Sequence, residues 1–210
     1  AWSQIPHAWL QEKVDITDLN KKRQAHKMDE SLQGAKLTLT AILVKVLAKS
    51  LEKYPLFNAS YDESAQEIIY KDFIHIGVAV DTERGLVVPK IANANKKSLS
   101  QIAINLGEIS RKARDKKLKA EDLEGTTFSL SNLGGIGTSS IFPIVNFPEV
   151  AILGIASSQT EAVWKKDKFE PRLMMPMTLG FDHRIINGAD AARFLQEMKR
   201  LLEDWFLWNM

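Results

Sequence analysis

The amino-acid sequence predicts an α/β protein of the α+β kind: a mixed, largely antiparallel sheet with flanking helices. Three observations carry this. Strand-like runs and helical apolar stripes share the chain without the regular alternation of a doubly wound parallel sheet. Hydrophobic residues are 45% of the 210 positions and charged residues 26%, enough apolar surface to offset the entropy of folding. No internal repeat, low-complexity stretch or Pro/Gly-rich linker divides the chain, so one domain over residues 1–210 is expected.

The elements follow in order. Ala8 to Ile16 alternates loosely and reads as a strand. Asp18 to about Met28 reads as a polar helix, with Asp15 or Thr17 as its cap. Thr38 to Lys53 places Ile42, Leu43, Val46, Leu47 and Leu51 at helical spacing, and Pro55 stops it. Phe57–Tyr61 and Ile68–Lys71 are short strands. Ile74–Val80 and Leu86–Ile91 are β-rich runs joined by the turn-forming segment 81–85. Ser98 opens a helix to about Lys116, with Leu99, Ile102, Ala103, Leu106 and Ile109 on one face. Its basic end, Arg111 to Lys119, complements the helix dipole or meets a phosphate-bearing ligand. Thr127–Leu130, Val150–Ile155, Ala162–Trp164 and Leu173–Leu179 are strands. Asp182–Gly188 is a polar loop, and Ala189–Asp204 is a closing helix striped by Ala192, Phe194, Leu195, Met198, Leu201 and Leu202.

Composition excludes several functions. A net charge of +2 gives no bulk field for nucleic acid or an anionic membrane. No apolar run approaches the ~20 residues of a membrane-spanning helix. The absence of Cys removes disulfides, thiolate metal sites and cysteine nucleophiles. The four histidines, His7, His26, His75 and His183, are then the natural agents of proton transfer near neutral pH. The chain starts Ala1-Trp2 without Met or a signal-like segment, which suits a fragment of a longer protein. It ends in Trp205-Phe206-Leu207-Trp208, an apolar terminus that either folds back or enters a pocket on another subunit.

Two segments can carry chemistry. Phe181-Asp182-His183-Arg184-Ile185-Ile186-Asn187-Gly188 joins an apolar strand to a helix, a place where a side chain is held yet accessible. Gly188 is read as freeing the backbone for a tight turn. By spacing alone His183 is a base or a structural histidine beside an Asp182–Arg184 ion pair. Ser131-Asn132-Leu133-Gly134-Gly135-Ile136-Gly137 is a Ser/Gly loop after a strand, either a turn or a source of donors to an oxyanion. It lacks the Walker Lys, the dinucleotide glycine spacing and the nucleophile-elbow pattern. His75 reads as structural, His7 marks a strand entry and His26 sits on a polar helix. No two histidines have ligand spacing, so no metal is expected.

The residues match a known family. Ile5-Pro6-His7, Val14-Asp15-Ile16-Thr17, His75 to Thr82 with Gly85-Leu86-Val87-Val88-Pro89, Ser131-Asn132-Leu133-Gly134, Pro143-Ile144-Val145-Asn146, Pro148 to Gly154, and Asp182-His183-Arg184 with Gly188 occur in family order. With them the chain resembles the catalytic core of the dihydrolipoamide acyltransferases of 2-oxo acid dehydrogenase complexes. The resemblance implies a chloramphenicol-acetyltransferase-like fold and a homotrimer. It also implies acyl transfer between dihydrolipoamide and coenzyme A, the lipoyl group and coenzyme A being substrates and no metal taking part. His183 takes the base position, Ser131 that of the oxyanion donor from the neighbouring subunit, and Asn187, the third catalytic position, replaces the Asp of many members and is expected to orient loop or substrate. The segment 135–154 looks more like acetyl- or branched-chain-transferring members than succinyl-transferring ones, and acetyl is preferred. A cage-forming scaffold without activity is the alternative, as is a chloramphenicol-acetyltransferase-type enzyme, whose two adjacent histidines are here Asp182-His183. The implied partners are further trimers in a cubic or dodecahedral core, joined by residues 205–208, together with the decarboxylase, dihydrolipoamide dehydrogenase and lipoyl domains. The family's lipoyl and subunit-binding domains, and the basic start of its core, are not in this sequence. The implied location is the bacterial cytoplasm, or the mitochondrial matrix in a eukaryote.

Overall fold

The computed structural model describes residues 5–83 and 85–204. The expected strands and helices form, and the sheet is mixed. Its seven strands follow the order β1-β11-β9-β8-β4-β7, with β10 pairing on β11. In chain order these are β1 (His7–Asp15), β4 (Ile76–Val78), β7 (Lys90–Ile91), β8 (Phe128–Asn132), β9 (Ala151–Ile155), β10 (Gln159–Lys165) and β11 (Lys168–Asp182). β8 runs parallel to both β4 and β9, and the other pairs are antiparallel. Two ribbons stand apart: β2 (Ala59–Asp62) with β3 (Glu67–Tyr70), and β5 (Val80–Thr82) with β6 (Gly85–Val87).

The helices are α1 (Thr17–Ala25), α2 (Leu39–Lys53), α3 (Leu99–Arg114), the short α4 (Ala120–Leu123) and α5 (Gly188–Glu203). Their starts follow elementary capping. Thr38 Oγ1 accepts the Ala41 amide at 3.1 Å. Ser98 and Gln101 form a reciprocal capping box on α3. α5 packs on β1, β11 and α2, and α2 packs on α3. Between them Phe57, Phe128 and Phe194 are fully buried, with Phe57 and Phe194 stacked at 4.2 Å between ring centroids. No helix among the described residues is long and apolar enough to cross a membrane.

The sequence reading needs five corrections here. Neither Asp15 nor Thr17 caps α1; Ile16 holds the cap position, and Asp15 Oδ1 accepts from the Thr17 amide and hydroxyl instead. The helix ends at Ala25, short of Met28. Phe57 lies in a 3-10 turn, and β2 begins two residues later. The run Ile74–Ile91 is a hairpin that splits, because the Ala79 amide bonds to Leu130 of β8, so β5 and β6 leave the main sheet. The turn residue Arg84 lies outside the described residues, as do 205–208. β10 and β11 form a long hairpin across Lys166 and Asp167, both at positive φ, so the strands read at Ala162–Trp164 and Leu173–Leu179 extend to meet at one turn.

The sheet has two unequal faces. Phe128, Leu130, Leu153 and Leu179 point into the main core with the helices, whereas Ile152 joins Ile5 and Val145 in a small cluster on the other face. The loop between β8 and β9 crosses that second face so closely that Cβ atoms would not fit beneath it. At Gly154 a Cβ would stand 2.9 Å from the Ile141 side chain, and at Gly180 2.8 Å from the Pro143 carbonyl oxygen.

Candidate active site

His183 follows the last residue of β11. Four contacts fix its backbone and flanks. Its amide donates to Pro6 O at 3.0 Å, and the Asp182 amide donates to Val150 O at 2.9 Å. The amides of Ile185 and Ile186 both turn back to Asp182 O, and the Ile186 side chain is fully buried. Asp182, only 2% exposed, accepts from the Arg184 amide, Nε and Nη2, the last at 2.7 Å. A buried carboxylate needs such a partner, and a two-point guanidinium pair also fixes direction. Arg184 in turn lies 4.9 Å from the Tyr61 ring and 3.3 Å from Glu63, which ties the loop to β2. The local ion pair of the bland reading is therefore real. It also frames an exposed imidazole that makes no hydrogen bond among the described residues.

Asn187 has a definite local function. Its Oδ1 accepts the Asp190 amide at 2.9 Å, so it is the N-cap of α5. Gly188 is the first helical residue; its φ is not positive and a Cβ there would meet open space. The tight-turn role read for Gly188 is absent within this chain.

Ser131 sits inside β8 rather than in the Ser/Gly loop after it, paired with Gly154 and half-buried. By strand alternation it shares the face of Ser129, away from the helices. The next residue anchors this end: Asn132 donates to Thr40 Oγ1 at 3.1 Å and accepts from the Gly134 amide at 2.9 Å. Beside it opens a cavity of about 840 Å³ lined in part by Lys36, Thr40, Arg111, Arg114, Glu108 and Asp81. Two arginines of the basic α3 end thus line a space reaching Asn132.

The structure does not bring Ser131 and His183 together. Extending the β9–β11 register sets His183 level with Glu149. The β8–β9 register sets Glu149 level with Thr126, five residues before Ser131. At about 3.3 Å per residue along the strands and about 4.8 Å per strand across two strands, the pair is separated by roughly 19 Å.

The other histidines are structural. His7 Nε2 accepts the Val145 amide at 3.0 Å while its Nδ1 lies 2.8 Å from Ile5 O, so Nδ1 carries the proton and the ring pins the β8–β9 loop. His75 Nδ1 accepts the Asn93 amide, and burial holds this ring below the usual histidine range. His26 contacts Asp29 at 2.9 Å on the surface. Sequence reasoning missed Glu149, a carboxyl 3% exposed and pushed up to about 7 chiefly by burial. Glu149 falls in the family-matched stretch Pro148 to Gly154, but nothing local marks its burial.

A mixed sheet of this strand order, with helices packed on one face, is the fold of chloramphenicol acetyltransferase. One such enzyme shares the fold at a TM-score of 0.64 and 14% identity over 95% of this chain and 89% of that one. The chain belongs to the 2-oxoacid dehydrogenases acyltransferase (catalytic domain) family, whose model matches residues 1–210. It is 49% identical over 205 residues to the dihydrolipoyllysine-residue acetyltransferase component of the pyruvate dehydrogenase complex of Haemophilus influenzae. That alignment covers 97% of this chain and 36% of the relative, so the chain spans about a third of that relative's length. Two solved structures each superpose with a TM-score of 0.94 at 46% identity, over 97% of this chain and 84% of theirs. One is the Azotobacter vinelandii dihydrolipoamide acetyltransferase, in work on the role of a serine, a histidine and an asparagine in its catalytic mechanism. The other is the cubic core of the pyruvate dehydrogenase multienzyme complex.

Proposed function

We propose that the chain is the acyltransferase core of a pyruvate dehydrogenase complex, passing an acetyl group between dihydrolipoamide and coenzyme A. The acetyltransferase names of its relatives favour acetyl over branched-chain acyl groups. The observation that carries the reading is the exposed imidazole of His183, held by its backbone and flanks with its ring nitrogens available.

The chemistry suits these side chains. Both substrate thiols are alkyl thiols, at least as weakly acidic as a cysteine side chain at about 8.5, and are mostly protonated at neutral pH. The imidazole of His183 takes the S–H proton as sulfur attacks the thioester carbonyl carbon. The carbonyl π bond opens, and the Ser131 hydroxyl donates to the oxyanion, a contact worth about 3 kcal/mol in such sites. Collapse breaks the original C–S bond, and the departing thiolate recovers the proton from the imidazolium. No protein nucleophile is required, which agrees with a chain lacking Cys.

The roughly 19 Å between Ser131 and His183 within one chain supports a site completed by a second copy, in a cyclic homotrimer. Lys36, Arg111 and Arg114 offer cations to the phosphates of coenzyme A at the cavity beside Asn132. Likeness to a cubic core favours assembly of trimers into a cubic rather than a dodecahedral shell, serving lipoyl domains and the decarboxylase and dihydrolipoamide dehydrogenase subunits in a bacterial cytoplasm. The test is acyl transfer to free dihydrolipoamide from acetyl-, isobutyryl- and succinyl-coenzyme A. Acetyl should be the best donor; failure with all three would leave only a scaffold.

A further inference from the structure

Beneath the histidine loop lies a buried carboxyl that acyl transfer does not use. Glu149 occupies the turn that opens β9. Its amide donates to Asn146 O at 2.8 Å, and it forms an antiparallel bridge with Ser60 of β2. Oε1 accepts from the Ser129 hydroxyl of β8 at 2.9 Å and from Asn146 Nδ2 at 3.2 Å. Oε2 is buried without a partner in hydrogen-bonding geometry, although the Thr126 side chain stands close to the carboxyl. An ionised carboxylate with an unserved oxygen is costly in such a place, whereas a carboxylic acid is not.

The surroundings offer no compensating charge. On the His183 loop, Asp182 and Arg184 neutralise each other at 2.7 Å, and Glu63 is bound to Arg184. β2 brings Tyr61 beside Ser60. β8 brings the Ser129 hydroxyl and the residues before it the Thr126 side chain, with Gly77 of β4 packed against both. Among the described residues no Lys or Arg pairs with Glu149.

The position is a junction. Val150, the next residue, accepts the Asp182 amide. Tyr61, next to the bridged Ser60, carries the guanidinium that clamps Asp182. Ser129 belongs to the strand that presents Ser131 two residues on.

We propose that Glu149 is a positioning residue for His183: as a neutral acid it holds β2, β8 and the start of β9 together under the loop, and ionising it loosens that junction. This rests on the acyl-transfer role of His183, so the test carries one readout that needs no activity. The pH dependence of acetyl transfer is measured for the wild type, Glu149→Gln and Glu149→Ala, alongside the hydrogen-exchange protection factor of the Asp182 amide. The wild type should lose turnover and Asp182 protection together as pH rises through about 7. Glu149→Gln, isosteric and neutral, should keep turnover within about twofold on the acid side and hold both quantities into alkaline pH, while Glu149→Ala should lose about tenfold in kcat at every pH. An alkaline limb unchanged in Glu149→Gln, or wild-type protection that does not move with pH, overturns the proposal. A protein inactive at every pH whose Asp182 protection still falls in the wild type and persists in Glu149→Gln would support the junction and overturn the acyl-transfer reading.

Discussion

The two ends of the central sheet are built differently. The His183 end is clamped: a buried carboxylate, a guanidinium and a helix cap lie within six residues of chain around one exposed ring, and the Tyr61 ring of β2 packs on the guanidinium. The Ser131 end is held by neutral hydrogen bonds, Asn132 to Thr40, the Leu133 amide to Ile155 O and the Ser157 hydroxyl to Gly134 O, and beyond it a glycine-rich loop runs back over the sheet. A base must be oriented about its ring, so its surroundings are elaborate. A hydroxyl donor rotates about one bond, so a strand position suffices. On the proposed reading neither end is a site by itself, since β8 and β11 carry Ser131 and His183 to opposite ends of the strands.

Substitutions at the two ends should differ in size as their construction does. His183→Ala should lower kcat by about 10³- to 10⁴-fold, the value of a positioned base, with little change in thermal stability because the ring makes no hydrogen bond among the described residues. Ser131→Ala should cost about 10²- to 10³-fold, read in the same acetyl-transfer assay. Equal losses at the two positions would erase the distinction between an oriented base and a simple donor.

Next in size is a pH effect on stability between the two ends. Glu149 holds its proton up to about 7 in the fold, against an ordinary value of 4.5 in the unfolded chain. The folded state therefore binds more protons in that window. The contribution is complete below the unfolded value and is lost as pH rises through about 7, by at most about 3 kcal/mol. Denaturant unfolding at several pH values should show this decline in the wild type and a flatter profile in Glu149→Gln. Identical profiles would remove Glu149 from the account of stability.

The smallest effect concerns Asn187. Asn187→Ala should cost about 1 kcal/mol through the lost cap on α5, while Asn187→Asp, an equally good cap, should leave the melting temperature nearly unchanged. If Asn187→Asp also leaves the pH–rate profile alone, the amide acts through the helix start and not through the proton of His183.

Much of this was readable in the chain. The fold class, the α2 and α3 stripes, the α5 stripe except that Ala191 and not Ala192 is buried, and the Asp182–Arg184 pair follow from local periodicity and short spacing. Ser131 could be named but not placed, because a strand's end depends on its ladder partners: Gly154 and Ile155 extend β8 through Asn132. The long β11 was read only as Leu173–Leu179, because its polar start, Lys168 to Arg172, is held by pairing with β10 and not by an apolar face. Glu149 was invisible for a related reason. Its burial comes from Ser60, Ser129 and Asn146, which only tertiary structure assembles.

The central claim is that one catalytic site takes Ser131 from one subunit and His183 from another. Ser131→Ala and His183→Ala chains, each inactive alone, are mixed, dissociated and reassembled, with subunit exchange confirmed by mass. Random exchange in a cyclic trimer restores about a quarter of the sites, and acetyl transfer should recover to that level. No recovery above either parent after confirmed exchange would contradict the shared site.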